Sequence, residues 1–252
     1  MNAALRGASL AAPTRFHALA GAWLPICWGA AAALGLAGAG LALLVPAADA
    51  QQGEAWRIAF VHLPAGWLAA LLYLLMAVCA VAGWRRRLPL ASMLAQAIAP
   101  TGALVTFLAL WSGAFWGRPG WGQWWMWEAR LTWQFVLLML YIAYIALVEA
   151  IDDGRRAAHA SALLALVGAV SAPLIWFSVQ WWHAQHQGAS PVSLEAMPGL
   201  SPTLLGAVIL ITLSLGAYSF AVIGSRTRAL VIEAEADADW VRALAAGQGR
   251  FD

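Results

Sequence analysis

The chain has 252 residues, 63% of them hydrophobic and only 10% charged, and its mean hydropathy is +0.73. Soluble globular proteins are about 45–50% apolar and about 25% charged, so a water-facing surface of this size cannot be clothed with the charge available. Disordered, collagenous, coiled-coil and nucleic-acid-binding classes are excluded with it, because each needs more charge or a repeat that is absent. The 14 basic residues are all arginine and form no basic tail, so the net charge of +2 points to no partner.

Charge-free stretches mark six membrane spans, at approximately 20–45, 59–83, 94–116, 132–149, 159–179 and 202–224. About 20 apolar residues in a helix cross roughly 30 Å of hydrocarbon, and backbone amides inside a bilayer must bond within their own helix. The predicted fold class is an all-α, six-helix membrane bundle forming one domain over 1–252. Ala48-Asp49-Ala50 resembles a signal-peptidase site, but the apolar run before it exceeds the about 7–15 residues of a signal core, and a retained first helix is expected. Cys27 and Cys79 lie in spans one and two with no CxxC pair, and read as buried, inert thiols. Pro25, Pro100 and Pro173 are candidate kinks, and 226–252 reads as a tail with partial helix.

Arginine counting sets the expected orientation. With both termini on one side, that side holds eleven arginines and the other holds only Arg57, Arg118 and Arg130. The positive-inside rule puts the eleven in the cytoplasm. In a bacterial inner membrane the three would then face the periplasm.

Sixteen tryptophans need explaining, and ten of them fall near the predicted outer face. An interfacial aromatic belt accounts for Trp56, Trp111 and Trp116. The loop 117–131 is denser: Trp121, Trp124, Trp125 and Trp127 stand within seven residues, followed by Glu128 and Arg130. If helical, Trp121, Trp124, Trp125 and Glu128 share one face at i, i+3, i+4 and i+7, as a short interfacial helix with a flat aromatic surface. That surface fits either a membrane anchor or a large planar apolar ligand.

Histidines add a second constraint. His17 and His159 lie near the predicted cytoplasmic ends and read as solvated or interfacial, whereas His62, His183 and His186 reach the same outer layer as the tryptophan loop. Imidazole is a good iron ligand and a common axial ligand of haem. Haem is flat and apolar enough for indoles to cover, and its propionates suit guanidinium forks. Arg57 precedes His62 and Arg130 ends the tryptophan segment; their alternative role is contact with headgroup phosphate.

The run Trp121-Gly122-Gln123-Trp124-Trp125-Met126-Trp127-Glu128-Ala129-Arg130 resembles the tryptophan-rich WWD signature of haem-handling proteins. With six spans and this length, the chain is similar to the haem exporter protein C family of bacterial cytochrome c maturation. Trp56 to Pro64 resembles that family's first histidine region and Trp181 to Gly188 its second. The resemblance implies His62 and His186 as metal ligands; His186, unlike His183, is followed by the Gln and Gly the family carries. Trp121, Gly122, Trp124, Trp125, Trp127, Glu128, Arg130 and Arg57 are the implied cofactor-binding residues. Glu128 departs from the family's aspartate and adds one methylene.

The implied function is to bind haem b reversibly at the periplasmic face of the inner membrane and pass it to a periplasmic haem chaperone. An ABC-type ATPase, its membrane subunit and a small single-span accessory protein are the implied partners, besides the lipid bilayer. No P-loop, nucleophile or acid–base constellation is present, and no enzyme activity is expected. A membrane b-type cytochrome and a solute transporter are the rival classes. The first would pair histidines deep between facing helices, and the second would place ionisable groups near mid-membrane.

Overall fold

The computed structural model describes residues 13–44, 53–181 and 202–246, which form only helices and their connections. Helix α1 (Pro13–Leu44) is followed by a 3-10 turn (Gly53–Ile58), α2 (Ala59–Arg86) and α3 (Pro89–Trp121). Then come α4 (Ala129–Ala150), α5 (Gly154–Gly168), α6 (Ser171–Trp181), α7 (Pro202–Ala234) and the short α8 (Asp239–Ala245). Six helical stretches are long and apolar enough to cross a membrane, the fifth being Gly154–Ile175, which α5 and α6 share. The expected all-α architecture of six spans is therefore present.

Local chemistry sets the breaks. Between α2 and α3, Arg87 takes a left-handed conformation (φ 52°), Leu88 N–H donates to the Gly83 carbonyl at 3.2 Å, and Pro89 opens α3. Proline suits that first position because its missing N–H would have no helical partner there. Asp153 caps α5, its carboxylate accepting from the Arg155 and Arg156 amides at 2.9 Å each. Of the three candidate kinks, only Pro173 coincides with a helix break. Its ring cannot donate to the carbonyl four residues back, and the freed turn is held instead by Ser171 Oγ–H donating to Gly168 O at 2.6 Å.

Small residues bring the helices together. Ala65, Ala69, Tyr73, Ala77 and Ala80 run along one side of α2 and pack on Ala95, Ile98, Ala99, Val105 and Ala109 of α3. Alanine ridges permit the close approach that membrane helices depend on. Leu137, Tyr141 and Tyr144 of α4 complete this core, with Tyr141 O–H donating to Ala69 O at 2.9 Å. Helix α1 packs mainly on α7. At one end of the bundle, Ala42, Trp56, Phe60, Leu204 and Val208 cluster with Trp116, so the end of α1, the starts of α2 and α7 and the end of α3 converge there.

At the side-chain level the expectations for the cysteines and for His17 change, whereas that for His159 holds. Cys27 and Cys79 are free but half-buried rather than fully enclosed. His17 is not solvated: it is 4% exposed, accepts from Arg228 Nη2 at 3.1 Å and meets the Trp240 ring at 5.4 Å. That contact folds α8 back onto α1, and Trp240 Nε1–H donates to Glu235 at 2.6 Å. His159 is exposed and stacks on Trp84 at 4.7 Å.

Candidate functional site

His62 lies in the first turn of α2, where the bundle end described above meets α3. Its Nδ1 is 2.9 Å from the Ala109 carbonyl and 3.3 Å from Ser112 Oγ. A carbonyl only accepts, so Nδ1 carries the proton and the lone pair resides on Nε2. A backbone carbonyl behind the imidazole is the usual outer partner of a metal-binding histidine, fixing its tautomer and raising its basicity. Gly113 lets the ring lie this close to α3: a Cβ there would stand 2.8 Å from His62 Cε1. Trp116 meets the ring edge-on, with centroids 5.7 Å apart at 72°.

Two clefts meet at His62. The larger has Leu63, Gly66 and Trp67 of α2, Leu110 of α3, Arg130 and Gln134 of α4, and Ile175 of α6 in its walls. The smaller is walled by Gly113, Trp116, Trp124, Trp125 and Met126. Leu131 borders both. Mostly apolar walls with a few placed polar groups are typical of small-molecule binding.

The tryptophan segment differs from its expected shape. Helix α3 runs through Trp121, and Gly122 then adopts φ 77°, its N–H donating to Arg118 O at 3.0 Å. A left-handed glycine just past the last turn ends a helix, so 122–128 is an irregular connection and no interfacial helix forms there. The flat face at i, i+3, i+4 and i+7 is replaced by tilted, edge-to-face indoles. Trp125 meets Trp127 at 5.4 Å and 77°, and Trp124 meets Phe115 at 5.2 Å and 77°. Trp127 and Trp124 remain 69% and 53% exposed, while Trp125 is half-buried against the smaller cleft.

The charged residues divide by role. Arg130 is half-buried and lines the larger cleft. Arg57 lines neither cleft; it bonds Glu54 and the Ala42 carbonyl, tying the 3-10 turn to the end of α1. Arg118 donates to the Gly122 carbonyl and lies over the Trp124 ring at 6.0 Å, so it closes the end of α3. Glu128 is 4% exposed at the start of α4, where the helix dipole favours a carboxylate. His186 and His183 lie outside the described residues, as does Trp182.

Several contributors escaped the sequence reading: Trp67, Ser112, Gly113, Trp116 as a ring partner, and Gln134. A lone glutamine within an apolar span was the one legible signal, since polar groups there are costly and usually functional. Two buried donors, Trp125 Nε1 and Gln134 Nε2, have no hydrogen-bond partner among the described residues. Both belong to cleft walls, and with Arg130 they make a donor set suited to an anionic ligand with an apolar body. Among the described residues no three His, Cys, Asp or Glu side chains converge. A single imidazole suits a metal already held by a macrocycle better than a bare ion.

The sequence was compared with known proteins. Residues 7–242 match the family model described as Heme exporter protein C. A Bradyrhizobium diazoefficiens protein named Heme exporter protein C is 42% identical over 234 residues, covering 88% of this chain and 87% of the relative. The Escherichia coli K12 protein of that name is 39% identical over 203 residues, or 81% of each chain. The Paracoccus denitrificans one is 40% identical over 188 residues, covering 74% and 76%.

Proposed function

The chain belongs to the Heme exporter protein C family, and from that premise we propose that it holds haem b reversibly at the His62 end of the bundle and hands it to a periplasmic haem chaperone during c-type cytochrome maturation. The observation that carries this reading is the posture of His62. Its Nδ1 is engaged by the Ala109 carbonyl, so the Nε2 lone pair is the ligating position, at the junction of two largely apolar clefts.

In this account His62 and His186 would be the residues that hold the iron of bound haem. The Trp124, Trp125 and Trp127 indoles cover the macrocycle, with Trp121 and Gly122 placing them at the end of α3. Arg130 meets a propionate from the cleft wall. Arg57 has the same charge near the same bundle end, and its contact with the Ala42 carbonyl also steadies the turn that presents His62. Glu128, two residues before Arg130 and of opposite charge, orients that guanidinium. Transfer needs a site that opens, and a lone axial bond with an exchangeable second ligand is released more readily than a closed pair.

The excess of arginine on the opposite side supports a periplasmic position for this site in the inner membrane, with both termini cytoplasmic. An ABC-type ATPase with its membrane subunit and a small single-span protein are the proposed partners. The chain acts as a binding and transfer protein rather than an enzyme. The test is the visible absorption spectrum of detergent-purified protein beside His62→Ala and His186→Ala. A Soret band that weakens or shifts in either variant identifies a ligand; unchanged haem in both removes the assignment and directs attention to His183.

A further inference from the structure

Gln134 is a buried amide whose donor has no partner among the described residues. It stands in the second turn of α4, inside a membrane span, and is 6% exposed. Its carboxamide forms part of the larger cleft's wall, yet Nε2 has no hydrogen-bond partner among the described residues. An unpartnered amide in an apolar surrounding lowers stability, so a residue of this kind persists where something else occupies its donor. Rotating the terminal amide exchanges its nitrogen and oxygen without moving the rest of the side chain, which lets an N–H face the cleft.

The rest of the wall names the chemical class of the missing partner. Leu63, Leu110, Leu131, Ile175 and Trp67 are apolar, and the remaining cation is Arg130. Arg130 and Gln134 are four residues apart on α4, hence on one face of the helix. An apolar wall with a guanidinium and an amide on the same face suits a carboxylate carried by a large apolar body. We propose that Gln134 is a carboxylate-recognition residue, which together with Arg130 hydrogen-bonds a propionate of haem seated at His62. The assignment rests on the haem reading above and adds a specificity element to it: the site distinguishes a porphyrin with ionised side chains from one without.

Haemin and haemin dimethyl ester separate the two ideas, because esterification removes the carboxylates and leaves the macrocycle and iron. Each probe is titrated by Soret absorbance into haem-free, detergent-purified wild type, Gln134→Leu, Gln134→Glu and His62→Ala. Losing one hydrogen bond to a charged group corresponds to about a tenfold or larger change in affinity. Gln134→Leu is expected to weaken haemin binding by that factor, to leave ester binding unchanged, and to melt at the same or a higher temperature when haem-free. Gln134→Glu, placing a carboxylate against the propionate, is expected to weaken haemin further and spare the ester. Unaltered haemin affinity in Gln134→Leu, or equal losses for both probes with a lower melting temperature, overturns the assignment while a His62-dependent Soret band keeps the haem reading. A wild type that binds neither probe overturns both.

Discussion

Gly113→Ala probes the His62 posture with one carbon atom. The added Cβ would stand 2.8 Å from His62 Cε1 and 3.2 Å from Nδ1. Ordinary carbon–carbon contact is about 3.5–4.0 Å, so the ring must retreat by roughly 1 Å. The Nδ1–Ala109 O separation of 2.9 Å then passes the limit for a hydrogen bond. Losing the outer partner of a metal-binding imidazole lowers affinity about 10–100-fold. Stability moves much less, because alanine gains about 1 kcal/mol over glycine in a helix while overpacking costs about 1–3 kcal/mol. The expected result is a protein that still folds, with a melting temperature near that of wild type, and haemin affinity at least tenfold weaker by Soret titration. Wild-type affinity and an unshifted Soret band in Gly113→Ala would refute the reasoning that His62 is held against α3 for ligation.

The two candidate arginines should separate in the same titration. Arg130→Gln is expected to lower haemin affinity about tenfold, the worth of a charge-assisted hydrogen bond, whereas Arg57→Gln should mainly lower the melting temperature by loosening the contact with α1. Reversed effects would exchange their roles. Trp127→Ala, at a position 69% exposed, should change stability by no more than about 0.5 kcal/mol yet weaken haemin retention in a dilution or competition assay. Retention equal to wild type would make that indole a lipid anchor only. Tyr141→Phe removes the buried bond to Ala69 O and should cost about 1 kcal/mol of stability without shifting the Soret band of bound haem; a shifted band would tie the core to the site.

Much of the architecture was legible because membrane burial leaves a long, simple signature. Six charge-free stretches produced six apolar helical spans, and Pro173 marked the break in the fifth. The site was legible only in parts. His62 and the tryptophan run could be placed near one another by counting spans, but the orientation of His62 depends on a carbonyl 47 residues away on another helix. The shape of 122–128 turned on one backbone angle at Gly122, which the i, i+3, i+4 pattern of indoles conceals. The loop expected from 117 starts later, because the helix carries through to Trp121 and ends only at the left-handed Gly122. Gln134 carried little weight as a lone letter and gained meaning only when its amide was found in the wall of a cleft. His17 was misjudged for a related reason: its partners, Arg228 and Trp240, belong to a segment at the far end of the chain that folds back on the bundle.

The central claim is that the His62 imidazole bonds the iron of haem. The most direct test is chemical rescue: haem-loaded His62→Gly in detergent, followed by visible absorption as imidazole is added. The account predicts a weakened or shifted Soret band in the variant that returns toward the wild-type position as free imidazole enters the vacated space. A His62→Gly protein whose spectrum matches wild type before any imidazole is added would contradict it.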